Sequence, residues 1–98
     1  MSITKNANKL TIAVEGKLDR TSAPELEAKI NEVMTEDINE VEFDLAKAVY
    51  ISSAGLRVIV GVQKKMSKIE GTMVITNIPE LILEIFTETG LSEILTLR

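Results

Sequence analysis

The spacing of the hydrophobic residues changes along the chain from every second residue to a helical spacing and back, and this change most constrains the fold. Residues 10–14 and 41–45 alternate apolar side chains with polar or small ones, as half-buried strands do. Residues 26–34 instead repeat their apolar side chains three and four apart, as on one face of an amphipathic helix. Residues 54–66 have the length and apolarity of a helix buried on much of its surface. Strands that alternate with helices in this way predict crossover connections and a mostly parallel sheet.

Two further strands are predicted near the ends of the chain. A weaker strand over residues 2–5 and a turn over residues 6–8 predict an antiparallel hairpin with the strand that follows. The last apolar stretch, residues 94–97, is interpreted as a final strand, with a short helical turn over residues 91–94 as the alternative. We therefore expect one α/β domain over residues 1–98. It should contain a mixed, mostly parallel sheet of four to five strands, with an N-terminal antiparallel hairpin and about three helices.

Two helix starts carry capping signals. Ser22 and Glu25 stand three apart, in the spacing of a capping box, and a proline lies between them in the predicted first turn. After a short apolar strand over residues 73–76, Asn77 is predicted to cap the last helix, with Glu80 at the capping-box position. The first of these helices is amphipathic and is expected to cover the sheet.

The composition excludes several classes of chemistry. The 98 residues include no cysteine and no histidine, which removes disulfides, thiolate metal sites and the commonest general base and metal ligand. A Ser-His-Asp triad is therefore impossible, and the serines lack the G-x-S-x-G motif. A Ser-Lys dyad with Lys47, Lys64 or Lys65 is formally open. We predict that the chain is not an enzyme and that it has no metal site.

The charge balance limits the partners. Fifteen acidic residues against eleven basic ones give a net charge of −4, and the basic residues are scattered, so no nucleic-acid surface is expected. No apolar run approaches the roughly 20 residues that span a bilayer, and the first residues lack an apolar signal region. We expect a cytoplasmic protein with no membrane contact. With neither a Walker A motif nor a glycine-rich fingerprint, no cofactor is predicted.

The stretch YISSAGLRV, residues 50–58, lies between a predicted strand and the predicted buried helix. The loop over residues 46–53 would leave the sheet at the carboxyl end of a strand, where sites gather in α/β sheets. Ser53 is predicted to be the N-cap of the helix. A phosphate on its hydroxyl would meet the positive end of the helix dipole, which favours an anion by about 0.3–1 kcal/mol. The alternative is that Ser53 only caps the helix.

The segment DLAKAVYISSAGLRVIV resembles the signature of the STAS domain family of bacterial anti-sigma factor antagonists. Two more segments, GKLDRTSAPEL and GTMVITNIPELILEIFTETGLSEIL, resemble other parts of that family, so that the resemblance covers essentially the whole chain. The family's phosphoacceptor stands two positions before the glycine of Gly-Leu, which is Ser53 here. Many members have aspartate immediately before it and a hydroxyl after it. Here Ser52 precedes it, as a minor alternative acceptor, and Ala54 follows.

The resemblance also implies a partner-binding surface around the acceptor. Its predicted members are Asp19, Arg20, Thr21, Tyr50, Ser52, Ala54, Gly55 and Leu56. Several have ordinary structural alternatives: turn chemistry for Asp19, a core position at the strand end for Tyr50, close helix-to-strand packing for Gly55, and a core position for Leu56.

The function implied by the resemblance is partner switching. The unphosphorylated protein would bind an anti-sigma factor that is itself a serine kinase and so release the sigma factor, and phosphorylation of Ser53 would abolish binding. The alternative is a non-switching STAS subunit that regulates a transporter or a lipid-export ATPase. Longer relatives close with another helix, whereas Arg98 follows directly on the last predicted strand. The oligomeric state is left open between a monomer and a weak dimer.

Overall fold

The computed structural model describes residues 1–98 and contains the predicted α/β arrangement. In chain order its elements are β1 (Ser2–Asn6), β2 (Lys9–Leu18), α1 (Ser22–Val33), β3 (Glu40–Ile51), α2 (Ser53–Lys68), β4 (Thr72–Thr76), α3 (Glu80–Glu88) and a 3₁₀ turn (Leu91–Glu93). The four strands form one sheet in the order β1-β2-β3-β4. β1 and β2 are antiparallel, whereas β2, β3 and β4 are parallel. The mixed sheet with an N-terminal hairpin is thus confirmed.

The register of the strands places their large apolar side chains on one face of the sheet. Ile12 lies opposite Phe43, and Phe43 lies opposite Ile75, and all three side chains are fully buried. The residues between them, such as Thr11 and Glu42, are only half-buried. The helices therefore cover one face, and each large apolar side chain buried beneath them contributes about 1.5–3 kcal/mol to folding.

β3 extends further than the sequence predicted. Residues 46–51 were expected to belong to a loop, but they continue the strand as far as Ile51. β3 remains paired with β2 over this stretch, but with two register shifts. At each shift β3 contains one residue more than β2, first between the pairs of Ala13 and Glu15 and then between those of Gly16 and Lys17. β4 pairs with β3 only as far as Asp44, so the last part of β3 has a neighbour on one side only.

The end of the chain combines the two predicted alternatives. Residues 91–93 form the helical turn, and the predicted strand is reduced to one parallel bridge between Leu97 and Ile75. The Ile75 amide donates to the Thr96 carbonyl at 2.9 Å, and the Arg98 amide donates to the Ile75 carbonyl at 2.8 Å. The sheet therefore has four strands and a single bridged residue at the position of a fifth.

The predicted cap of α3 is wrong. Asn77 lies three residues before the helix in a left-handed conformation with φ of 54°, which asparagine tolerates better than most residues. Its side-chain amide donates to the Asp44 carboxylate at 3.1 Å, which links the end of β4 to the middle of β3. α3 begins at Glu80, and the N-cap position is occupied by Pro79, which provides no side-chain hydrogen bond.

α2 is held against the sheet at its first turn, where Gly55 is buried. A β-carbon added to Gly55 would lie 2.6 Å from the Leu18 carbonyl oxygen and 2.8 Å from a methyl carbon of Ile51. This helix is buried on one side, as its apolarity predicted, through Val58, Ile59, Val62 and Met66. No helix of the structure is both long and apolar enough to cross a bilayer.

The packing at Gly55 predicts opposite effects for two alanine substitutions in α2. Gly55→Ala forces its methyl group against the backbone of β2, and we expect it to lower the free energy of unfolding by about 1–3 kcal/mol. Gly61→Ala meets nothing within 4 Å, and we expect it to raise that free energy by about 0.5–1 kcal/mol through helix propensity. Urea unfolding of both variants measures the difference, and a Gly55→Ala midpoint equal to that of Gly61→Ala would contradict it.

Candidate functional site

The site forms where β2 and β3 end side by side. Leu18 is paired with Ile51, and the backbone amide of Ser52 donates to the Leu18 carbonyl at 2.9 Å. Neighbouring strands lie about 4.8 Å apart, so residues 19–21 leave the sheet beside the start of α2. The sequence-predicted loop and the predicted serines are therefore brought together at one edge.

The N-cap of α2 is Ser52, and the prediction of Ser53 as the cap is wrong. Ser52 has an extended backbone, its carbonyl accepts from the Leu56 amide at 2.9 Å, and its hydroxyl accepts from the Gly55 amide at 3.4 Å. Ser53 is the first residue within the helix. Its hydroxyl therefore has no capping role.

The Ser53 side chain is exposed and lies at the end of a surface groove of about 390 Å³. The groove runs along α2 and is bordered on its other side by residues that follow α3. Its lining residues are Ser53, Leu56, Arg57, Val60, Gly61, Lys64, Thr89 and Leu91. Its floor is partly apolar, and its two charged residues are both cations.

A second groove, of about 380 Å³, lies at the opposite edge of the sheet. It is lined by residues at the starts of three parallel strands, including Lys9, Glu40 and Thr72. None of the predicted site residues borders it. Ligand sites in open parallel sheets lie at the carboxyl ends of the strands, which favours the groove beside Ser53.

The loop before α1 is organised by Asp19. One oxygen of its carboxylate accepts from the backbone amides of Thr21 at 3.0 Å and Ser22 at 3.1 Å. These two hydrogen bonds, that of Ser22 first, lower the pKa of Asp19 below its ordinary value. The predicted capping box of Ser22 and Glu25 is wrong, because the Ser22 hydroxyl instead donates to the Lys17 carbonyl at 2.8 Å.

The other predicted surface residues differ in exposure. Arg20 and Thr21 are exposed, and so is Tyr50, with 44% of its surface accessible, which excludes a core position for the ring. Ala54 and Leu56 are half-buried. Gly55 is buried against Leu18 and Ile51.

Sequence reasoning missed two residues of this edge. Arg57 faces the groove, and its position four residues after Ser53 is the signal that predicts two side chains on one helix face. Val49 is 60% exposed beside Tyr50. It is the extra residue at a register shift, since Gly16 pairs with Ala48 and Lys17 with Tyr50. No local sequence pattern indicates such a shift.

No group of three or more acidic side chains in the structure lies close enough to hold a metal ion. The arrangement at the edge offers instead a free hydroxyl, the positive end of a helix and a cationic groove. These features suit an anion or an acidic protein surface.

The hydrogen bonds of Asp19 predict a pH-dependent contribution to stability. Since its folded pKa lies below its unfolded value of about 3.9, the carboxylate stabilises the protein fully above about pH 5, and this stability is lost as the pH falls through the folded pKa. Asp19→Asn keeps an oxygen acceptor but lacks the charge. We expect the wild type to be more stable than Asp19→Asn at pH 7, with the gap narrowing at pH 3. Urea midpoints at both pH values measure the gap, and a gap independent of pH would contradict the prediction.

Comparisons with known proteins identify the family and the fold of this chain. The sequence model described as "STAS domain" matches residues 1–98. The anti-sigma-B factor antagonist of Bacillus subtilis is 30% identical over 95 residues, which cover 97% of this chain and 86% of the relative.

Solved structures share the fold. The structure of an anti-sigma factor antagonist from Mycobacterium paratuberculosis superposes with a TM-score of 0.85 at 22% identity, over 98% of this chain and 81% of that one. The phosphorylated form of the Bacillus cell fate determinant SpoIIAA superposes with a TM-score of 0.78 at 15% identity, over 99% and 89%. The resemblance inferred from the sequence is confirmed, and the chain belongs to the STAS domain family.

Proposed function

We propose that this protein is an anti-sigma factor antagonist that works by partner switching, with Ser53 as its phosphoacceptor. In its unphosphorylated form it binds an anti-sigma factor serine kinase, and the sigma factor is released. The observation that carries the proposal is the exposed hydroxyl of Ser53 at the first position of α2, beside the loop at Asp19 and at the end of the cationic groove. The names of its relatives support the same role.

The chemistry that ends the binding is a phosphoryl transfer from ATP. The kinase binds ATP, the Ser53 hydroxyl oxygen forms a bond to the γ-phosphorus, and the bond between the β- and γ-phosphates breaks. ADP leaves, and the hydroxyl proton passes to a base of the kinase. This chain supplies only the acceptor, which fits a regulatory protein without catalytic residues of its own.

The fold is expected to survive the modification. The phosphate adds about −1.5 to −2 charges near neutral pH, and it does so at the end of a helix whose dipole favours an anion. Because Ser53 is exposed, the phosphate has no apolar surroundings to displace. Because Ser52 provides the cap, no capping hydrogen bond is lost.

The same charge is expected to weaken the binding of a partner protein. A protein surface packed over Ser53 must exclude the dianion or bury it, and charge placed unfavourably in an interface costs several kcal/mol. A penalty of about 3 kcal/mol weakens binding roughly a hundredfold. The switch therefore acts on affinity without a change of fold.

The proposal predicts how substitutions of the two serines affect a purified anti-sigma factor kinase from the same organism. With ATP, wild type and Ser52→Ala should each gain the mass of one phosphoryl group, whereas Ser53→Ala should gain none. Ser53→Ala should bind the kinase like the unphosphorylated wild type. Ser53→Asp should bind roughly a hundredfold more weakly if its charge reproduces the penalty of about 3 kcal/mol. Intact mass and isothermal titration calorimetry measure these quantities.

Two outcomes of this experiment would contradict the proposal. Transfer to Ser52 instead of Ser53 would move the acceptor to the neighbouring position. Undiminished binding of Ser53→Asp, with no phosphoryl transfer, would favour the non-switching STAS subunit. Circular dichroism of Ser52→Ala controls for its lost cap, which costs about 1 kcal/mol.

The proposed contact surface includes Tyr50, whose exposed ring lies at the same edge of the sheet as the acceptor. Tyr50→Ala should weaken binding to the same kinase by at least tenfold, as is usual for a buried aromatic anchor worth more than about 1.4 kcal/mol. Ile69 is 52% exposed just beyond the opposite end of α2, and Ile69→Ala is the matched control that should bind normally. Equal affinities of Tyr50→Ala and Ile69→Ala for the kinase would show that Tyr50 is not part of the interface.

A further inference from the structure

α2 carries an arginine without a partner one helical turn after Ser53. Arg57 is exposed, and the ion pairs of the structure, Lys5 with Asp37 and Lys9 with Glu42, do not involve it. Arg57 and Ser53 line the same groove. Residues four apart in a helix are about 6 Å apart along its axis and share one face, so the guanidinium can reach a group carried by the serine.

The lining of the groove contains no anion that competes for Arg57. The only charged residues that line the groove are Arg57 and Lys64, and the facing wall contributes the uncharged Thr89 and Leu91. The first turn of α2 contains no acidic residue. In a chain with a net charge of −4, this groove therefore has locally uncompensated positive charge.

We propose that Arg57 is the positioning residue for the phosphate of phosphorylated Ser53. The inference rests on the proposed function, in which Ser53 is the acceptor. The planar guanidinium donates two parallel hydrogen bonds to phosphate oxygens, which a point charge does not reproduce. The pair holds the dianion over the groove between α2 and the 3₁₀ turn, instead of leaving it extended into solvent. Phosphorylation then covers the end of the groove and uses the cation that would attract an acidic partner.

Lys64 provides a matched control within the same groove. It lies on the same helix, has the same charge and is also exposed. However, it follows Ser53 by eleven residues, which is about 16 Å along the helix axis. That distance exceeds the Debye length of about 8 Å at physiological ionic strength. Lys64 should therefore have little effect on the phosphate.

The test measures the second pKa of phosphoserine by ³¹P NMR titration. Phosphoserine is inserted at position 53 by genetic code expansion, so that no kinase is needed. Since pairing with Arg57 stabilises the dianion, the Arg57→Ala variant should titrate about 0.2–0.4 pH units higher than the wild-type background. Arg57→Lys should give an intermediate value, and Lys64→Ala should match the wild type. Circular dichroism verifies that each variant is folded.

Each outcome of the titration either supports or contradicts the pairing of Arg57 with the phosphate. Identical pKa values for the wild-type background and Arg57→Ala would overturn it, and so would equal shifts for Arg57→Ala and Lys64→Ala, which would indicate a diffuse field. Because the phosphate is placed without a kinase, the result is independent of the kinase experiment. A pKa shift that only Arg57→Ala produces, together with no phosphoryl transfer to Ser53 in the kinase experiment, would support the pairing and contradict the proposed function.

Discussion

The close approach of α2 to the end of β2 is the contact on which the site depends. The Leu18 carbonyl accepts from the Ser52 amide at 2.9 Å, and the same oxygen would lie 2.6 Å from a β-carbon at Gly55. Only glycine allows the helix to begin this close to the strand. The first turn is thereby fixed to the sheet on its inner side, which leaves Ser53 on the outer side with its hydroxyl exposed.

The two adjacent serines have separate roles: Ser52 caps the helix, and Ser53 is the proposed phosphoacceptor. A hydroxyl that caps a helix accepts from a backbone amide, and burial or modification of that hydroxyl would disturb the helix start. Here the Ser52 hydroxyl accepts from the Gly55 amide, and Ser53 has no capping bond. Many family members have aspartate at the position of Ser52. Aspartate and serine are both preferred N-caps, so the substitution keeps the structural role of that position.

The fold could be predicted from the sequence because hydrophobic periods report directly which faces are buried, and the confirmed order of strands and helices rests on them. The predictions failed where a local sequence pattern fits two residues equally well, or where the structure depends on a contact that no local pattern indicates. Ser52 and Ser53 are equally good caps by type, so the sequence could not choose between them. The extension of β3 depends on register shifts against β2, which are contacts between distant segments. Asn77 uses a left-handed backbone to reach Asp44, a partner 33 residues away.

The charge that a partner meets at this edge differs from the charge of the whole chain. The Asp19 carboxylate is already engaged by two amides at the start of α1, whereas Arg57 and Lys64 have no anionic neighbour along the groove. An acidic partner would therefore be attracted to an acidic protein at this groove. The proposed phosphate at Ser53 brings about −1.5 to −2 charges, which outweighs the single charge of Arg57 beside it. The modification would then oppose binding twice, by removing the local attraction and by placing a dianion where the partner packs.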